Sequence, residues 1–248
     1  KLIAFLGAGG DTLTAGNGGG IVFGDQGSVT LSSTGAILAL ASPAAAGDEG
    51  DTIVMGDGDA TILGEGGNDI IVAGASVKTI SGGGGDDHIT VAGGTNLIYG
   101  DDNVEVVPAE STGPEGDDTI IGGTGEDEIH GQGGDDWINA REGDDAIFAG
   151  LGDDTVYGGL GSDTIVAGPE VIDDETETDE DWVYAGVGPA GTPSEAGSSN
   201  VIILGDENDY AWGDFGSDRI EGQDGSDEIH GLAGNDDIQG NMHDDLLD

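Results

Sequence analysis

A nine-residue period governs this chain. The segment Gly113–Val166 divides without a gap into six nonamers: GPEGDDTII, GGTGEDEIH, GQGGDDWIN, AREGDDAIF, AGLGDDTVY and GGLGSDTIV. In each, the fourth residue is Gly, the sixth is Asp and the eighth is Ile or Val. Leu204–Asp248 divides in the same way into LGDENDYAW, GDFGSDRIE, GQDGSDEIH, GLAGNDDIQ and GNMHDDLLD. The frame starts at Leu6 and counts 26 blocks, some degenerate, with four-residue inserts at Ser42–Ala45 and Ala109–Thr112 and one extra residue near Ser194. A period this regular restricts the fold to a stack of like units, each buried only by its neighbours.

The nonamer has two physical parts. Its first six residues form a turn, where Gly permits positive φ and close backbone approach. Its last three form a short strand with the eighth residue pointing inward. The expected core is one aliphatic residue per block, including Ile71, Ile89, Ile120, Ile129, Ile138, Ile147, Val156, Ile165, Ile220, Ile229 and Ile238. Such a core is thin for a chain with 52 Gly and a net charge of −48, from 52 acidic and 4 basic residues. It buries too little surface to outweigh Gly entropy and carboxylate repulsion. Multivalent cations are the candidate for the missing stabilisation. The same charge argues against nucleic acid or an anionic membrane surface as a partner. No apolar stretch of about 20 residues exists to span a bilayer, and with no Cys there is no disulfide or thiolate chemistry.

The pattern resembles the RTX family, whose signature is G-G-x-G-x-D-x-U-x with U a large apolar residue. The resemblance implies an all-β fold, a right-handed parallel β-roll or β-solenoid with two nonamers per 18-residue coil. Thirteen coils at about 4.8 Å each give a rod of roughly 60 Å. It also implies multiple Ca²⁺ ions, each lying between two successive turns on one edge and held by both sixth-position Asp with turn carbonyls. Ca²⁺ takes six to eight oxygens and suits such a site better than Mg²⁺. The implied metal ligands are Asp11, Asp51, Asp69, Asp87, Asp118, Asp127, Asp136, Asp145, Asp154, Asp163, Asp181, Asp209, Asp218, Asp227, Asp236 and Asp245. Asp127 and Asp145 are expected to share one ion, and Asp118 and Asp136 another.

Alternate blocks face opposite edges of such a roll. One edge begins Asp11, Val29, Asp51, Asp69, Asp87, Glu105; the other begins Gly20, Leu38, Ala60, Lys78, Asn96. One continuous solenoid is therefore expected, in four stretches. Residues 1–108 carry ligands mainly on one edge, and residues 109–166 carry them on both. Residues 167–203 are degenerate and acidic, with loops, and residues 204–248 are regular again. If each insert is a bulge that preserves the alternation, Asp118 falls on the Lys78 edge, and that edge has a gap at Ile172 and Ala190. Lys78 itself has two open readings: an ammonium replacing a missing cation beside Asp57 and Asp59, or a solvated surface Lys. The acidic loops in 167–194 read either as simple projections or as a partner-binding or ion-binding element.

Seventh and ninth positions should point outward. Phe148, Val166, Trp182, Tyr184, Val201 and Ile203 are expected on adjacent coils of one sheet, an apolar stripe of the kind that marks a contact between molecules. The four His occupy different repeat positions and form no constellation, and no nucleophile elbow or P-loop is present. No catalytic residues are expected. An interrupted seventh-position Thr row argues against an ice-binding ladder.

Leu2–Phe5 and Asp244–Asp248 both read as strands, so the roll either belongs to something longer or stacks end to end as a homopolymer. The expected function is a secreted, calcium-binding structural protein that folds on Ca²⁺ and assembles into an extracellular filament or surface layer. The alternatives are the RTX segment of a larger secreted enzyme or toxin, and an adhesin stalk. The resemblance implies an extracellular or cell-surface location reached by type I export, although no export signal is visible after Asp248.

Overall fold

A computed structural model describes residues 2–6, 9–24, 28–31, 37–41, 49–101, 116–168, 180–186, 199–205 and 208–248. Among them there is no helix. Short strands build two parallel sheets of eleven strands each, plus one antiparallel pair, Ser28–Leu31 with Ile37–Ala41. The first sheet runs from Leu2–Phe5 to Asp237–Gln239, and the second from Thr12–Ala15 to Leu246–Leu247. The chain alternates between the sheets, so each pair of strands is one coil of a parallel β-roll. Regular coils repeat every 18 residues: Ile71 pairs with Ile89, and Ile129 with Ile147, which pairs with Ile165.

In the described rungs the eighth residue points inward, except at the last, where Leu247 is exposed. Ile62, Ile80, Ile98, Ile129, Ile147 and Ile165 line the first sheet, and Ile53, Ile71, Ile89, Ile120, Ile138 and Val156 the second, all fully buried in one continuous core. Ile238, in the terminal strand of the first sheet, is only partly buried. The first position adds a second inward residue that the period alone does not announce: Met55, Ala73, Val91, Ala140, Ala149 and Leu204 join the core.

The turn Gly82–Asp87 shows why Gly recurs at three places. Gly83 and Gly85, second and fourth, both have φ of +114°, a region L side chains rarely adopt. Gly82, first, has an ordinary φ, but a Cβ there would lie 2.1 Å from Asp87 Oδ2 and 2.3 Å from the carbonyl oxygen of Gly100.

The alternation of edges departs from expectation. Successive rungs are 40 residues apart from Thr12 to Thr52, 31 from His88 to Thr119, 27 from Thr155 to Trp182, 37 from Thr164 to Val201 and 28 from Trp182 to Tyr210. Whole blocks are therefore left out of the stack along with the inserts. Among the described residues the blocks of Val29, Leu38, Glu105, Ile172 and Ala190 supply no rung; the other 21 blocks and Leu2–Phe5, ahead of the frame, give each sheet eleven strands instead of thirteen. Val29 and Leu38 belong to the antiparallel pair, while Glu105, Ile172 and Ala190 lie outside the described residues, as does most of the acidic 167–194 stretch. The reason is energetic. Loop closure grows only as the logarithm of length, whereas a rung without Asp or Asn at its sixth position loses its ladder partner.

Leaving out an odd number of blocks moves everything downstream to the other edge. Asp118 follows Asp87, not Asn96. The expected apolar stripe is divided for the same reason. Phe148, Val166, Val201 and Ile203 lie on the first sheet, and Trp182 and Tyr184 on the second. The second sheet instead gathers rings in two outward rows. Tyr157, Tyr184, Trp212 and His230 stack at 5.0, 4.8 and 5.6 Å, and Trp182 stacks on Tyr210 at 4.4 Å. Trp182 is exposed and Tyr184 buried.

Candidate metal centre

Each turn delivers its sixth residue to one of two columns along the edges of the roll. On the first edge the column is Asp11, Asp51, Asp69, Asp87, Asp118, Asp136, Asp154, Asp181, Asp209, Asp227, Asp245. In every step the backbone N–H of one Asp donates to Oδ1 of the next, at 2.6 to 3.1 Å. No residue other than Asp interrupts these ten steps.

The second edge reads Gly20, Ala60, Lys78, Asn96, Asp127, Asp145, Asp163, Asn200, Asp218, Asp236. From Lys78 onward it makes the same N–H to Oδ1 bonds, with Asn96 and Asn200 accepting through their amide oxygens. Only three of its steps join Asp to Asp: Asp127 to Asp145, Asp145 to Asp163 and Asp218 to Asp236. Asp thus stands on one edge only up to Asp118 and on both edges from Asp127 onward. The expected pairs Asp127 with Asp145 and Asp118 with Asp136 are neighbours, but on edges opposite to those the simple alternation assigns. A groove of about 510 Å³ runs along the second edge past Lys78, Asn96, Asp127 and Asp145.

Oδ1 is thus committed to the ladder, while Oδ2 faces the turn interior. In Asp87, Asp118, Asp136, Asp145, Asp163 and Asp227 this oxygen is buried and has no hydrogen-bond donor. Two turns differ: Asp127 Oδ2 accepts from the Gly123 N–H, and Asp218 Oδ2 from the Asp214 N–H, both at 2.9 Å. A buried carboxylate in this state is costly, and the titration directions register it. Burial pushes Asp136 up to about 10, reinforced by the charge of Asp154 and opposed by the Asp118 N–H. Burial likewise raises Asp87 to about 9, Asp118 and Asp209 to about 8, and Asp145 and Asp163 to about 7.

Two further sets of carboxylates deepen the negative potential. Fifth-position acids form a second, exposed ladder, in which the N–H groups of Asp117, Asp135 and Asp153 donate to Oδ1 of Asp86, Asp117 and Asp135. Asp101, at a second position, is buried and accepts from the N–H groups of Gly116 and Gly133 at 3.2 Å each. Its charge raises Asp87, Asp118 and Asp136. The Asp-Asp pairs of GDD blocks announce the first set; nothing in the period announces Asp101.

A column of buried carboxyl groups beside exposed carboxylates needs protons or cations to close. Orphaned Oδ2 atoms over first-position Gly fit a hard cation. Among the described residues no three His, Asp or Glu side chains converge on one point, so any ion must also take turn carbonyls, as one ligand Asp per turn requires. Comparison with known families decides the matter. The profile of the RTX calcium-binding nonapeptide repeat matches residues 46–76, 79–103, 112–147, 140–169, 196–229 and 221–248. This chain belongs to the RTX calcium-binding repeat family. No curated protein matches it. As an RTX protein it is a calcium-binding β-roll, and its sixth-position Asp are the residues that would hold the ions. Bound calcium supplies positive charge and exchangeable coordination to these oxygens. Three of the four His residues lie on the sheets: His130 stacks between Tyr99 and Phe148 on the first, and His88 and His230 sit on the second; His243, in the last turn, lies near enough to Asp227 for its charge to favour that carboxylate.

Proposed function

We propose that this RTX chain is a secreted, non-catalytic structural element whose folding is its calcium-binding event. The observation that carries the reading is the series of buried Asp Oδ2 atoms without a donor. Such a series is tolerable in the ionised state only when cations lie between the coils. If one ion occupies each Asp-to-Asp step, the described residues offer ten sites on the first edge and three on the second. In low calcium the repulsion among carboxylates keeps the chain open, in a form suited to passage through a type I exporter. Calcium outside the cell then closes the roll. The family's association with such export supports the extracellular location.

The finer part of the reading is association of rolls with copies of themselves in a filament or surface layer. The outward rings of Trp182, Tyr210 and Trp212 support it, because exposed aromatic surface of this kind is characteristic of contact faces. Negative-stain microscopy in millimolar calcium and in chelator tests it. Filaments or sheets that disperse in chelator are expected. Isolated rods at all calcium concentrations would remove the assembly and leave the calcium-closed roll in place.

A further inference from the structure

Lys78 stands where an ion-binding Asp would stand. It is the sixth residue of its turn, it is 1% exposed, and its N–H donates to Asn96 Oδ1 as a rung of the second ladder. Its side chain does not reach solvent. Nζ donates to the carbonyl oxygens of Gly74 and Ser76, both at 3.1 Å. These are the second and fourth residues of its own turn. Asp59 and Asp57, in the turn one coil earlier on the same edge, attract the ammonium. The two turns are held together around it: the Ala75 N–H donates to Asp57 Oδ1 at 2.9 Å, and the Gly58 N–H to Ser76 Oγ at 3.3 Å.

We propose that Lys78 is a tethered cation that takes the place of a calcium ion at this rung and keeps divalent ions out of it. Its ammonium offers the ingredients an ion would: positive charge between two successive acidic turns, and electrophilic contacts to turn carbonyls. The next residue up the column works in the same sense without charge. Asn96 Nδ2 donates to the carbonyl oxygen of Gly94, the fourth residue of its turn, at 3.0 Å, and to Asp127 Oδ1 at 2.8 Å. A side-chain N–H thus meets the fourth-position carbonyl in both turns. A burial this complete of a Lys is rare without such compensation. The second edge therefore closes through Lys78 and Asn96 on donors built into the chain and takes its ions only from Asp127 onward.

The inference rests on reading the Asp ladders as calcium sites, and the test separates the two. Calcium bound per folded chain is measured by equilibrium dialysis for the wild type, Asn96→Asp and the double variant Lys78→Asp with Asn96→Asp. The single variant is expected to gain one ion, at the step to Asp127, and the double variant two. A wild type that binds no calcium overturns the ladder reading itself. A wild type that binds its complement, with a double variant holding no more than the single one, overturns the role of Lys78. Lys78→Met supplies a second readout in saturating calcium. A lower urea midpoint with an unchanged ion count is expected, because the carbonyls of Gly74 and Ser76 lose their donor; an unchanged midpoint contradicts the proposal.

Discussion

The sixth-position Asp divides its work between two oxygens. Oδ1 accepts the N–H of the coil before and fixes the register, and Oδ2 is left for an ion. Asn preserves the first role and removes the second, as Asn96 and Asn200 already show by accepting N–H bonds within the ladder. Asp136→Asn should therefore fold in calcium but bind about two ions fewer, since Asp136 borders two steps of the first column. Atomic absorption on the desalted protein checks this; an unchanged count would show that Asp136 is not a ligand. The fourth-position Gly has a separate duty. At Gly152, φ is +118°, and a Cβ would come within 2.2 Å of the Gly134 carbonyl oxygen in the coil before. Gly152→Ala should cost about 1–3 kcal/mol, from overpacking against backbone and a disfavoured φ. Urea unfolding in saturating calcium measures it.

At the scale of the coil, each buried carboxyl couples closure of the roll to protons as well as metal. Burial lifts Asp87 from 3.8 to about 9 and Asp136 to about 10. Across that window the ion-free folded state binds protons that the unfolded chain has released, so its stability falls as pH rises. Without calcium the stabilising contribution is complete below about pH 4 and is lost by the alkaline side. Chelated protein should accordingly gain β-structure on acidification, read by far-UV circular dichroism; a chain that stays unfolded in acid would contradict the burial of these groups. The coil is also where the limit of the sequence lies. The nonamer, the inward eighth residue and the sixth-position ligand are legible from period and chemistry. Which blocks become rungs is not, because that choice compares a poor rung with a cheap loop. A signal was present: four of the blocks left out carry Val29, Leu38, Ile172 and Ala190 at position six, where an apolar side chain has no ladder oxygen to offer, and the fifth carries Glu105, one methylene longer than Asp. Yet Gly20 and Ala60 stay in the stack, so the rule is not absolute. The hidden position of Asp101 has a similar cause, since its amide partners Gly116 and Gly133 come close only after the stretch before Gly116 is left out.

For the whole molecule, the net charge of −48 is both the obstacle to folding and the handle on it. Thirteen divalent ions would cancel roughly half of that charge, and screening by monovalent salt cannot replace them, because the carboxylates are buried rather than exposed. Electrophoretic mobility per unit size should fall markedly on calcium binding, and added sodium chloride alone should not induce the β-signal. The first ladder runs the length of the roll and the second runs from Lys78 onward, and each ion shared by two coils helps place the ligands of the next. Closure is therefore expected to be cooperative along the stack, with the Lys78 and Asn96 rungs, and Asn200 further on, closing on built-in donors. The central claim is that ion binding and folding are the same step. The most direct test follows far-UV circular dichroism and bound calcium on one sample, starting in chelator at neutral pH. The β-signal should rise in proportion to bound ions and level off near thirteen per chain. A β-signal already complete in chelator, with calcium adding nothing to it, would contradict the coupling.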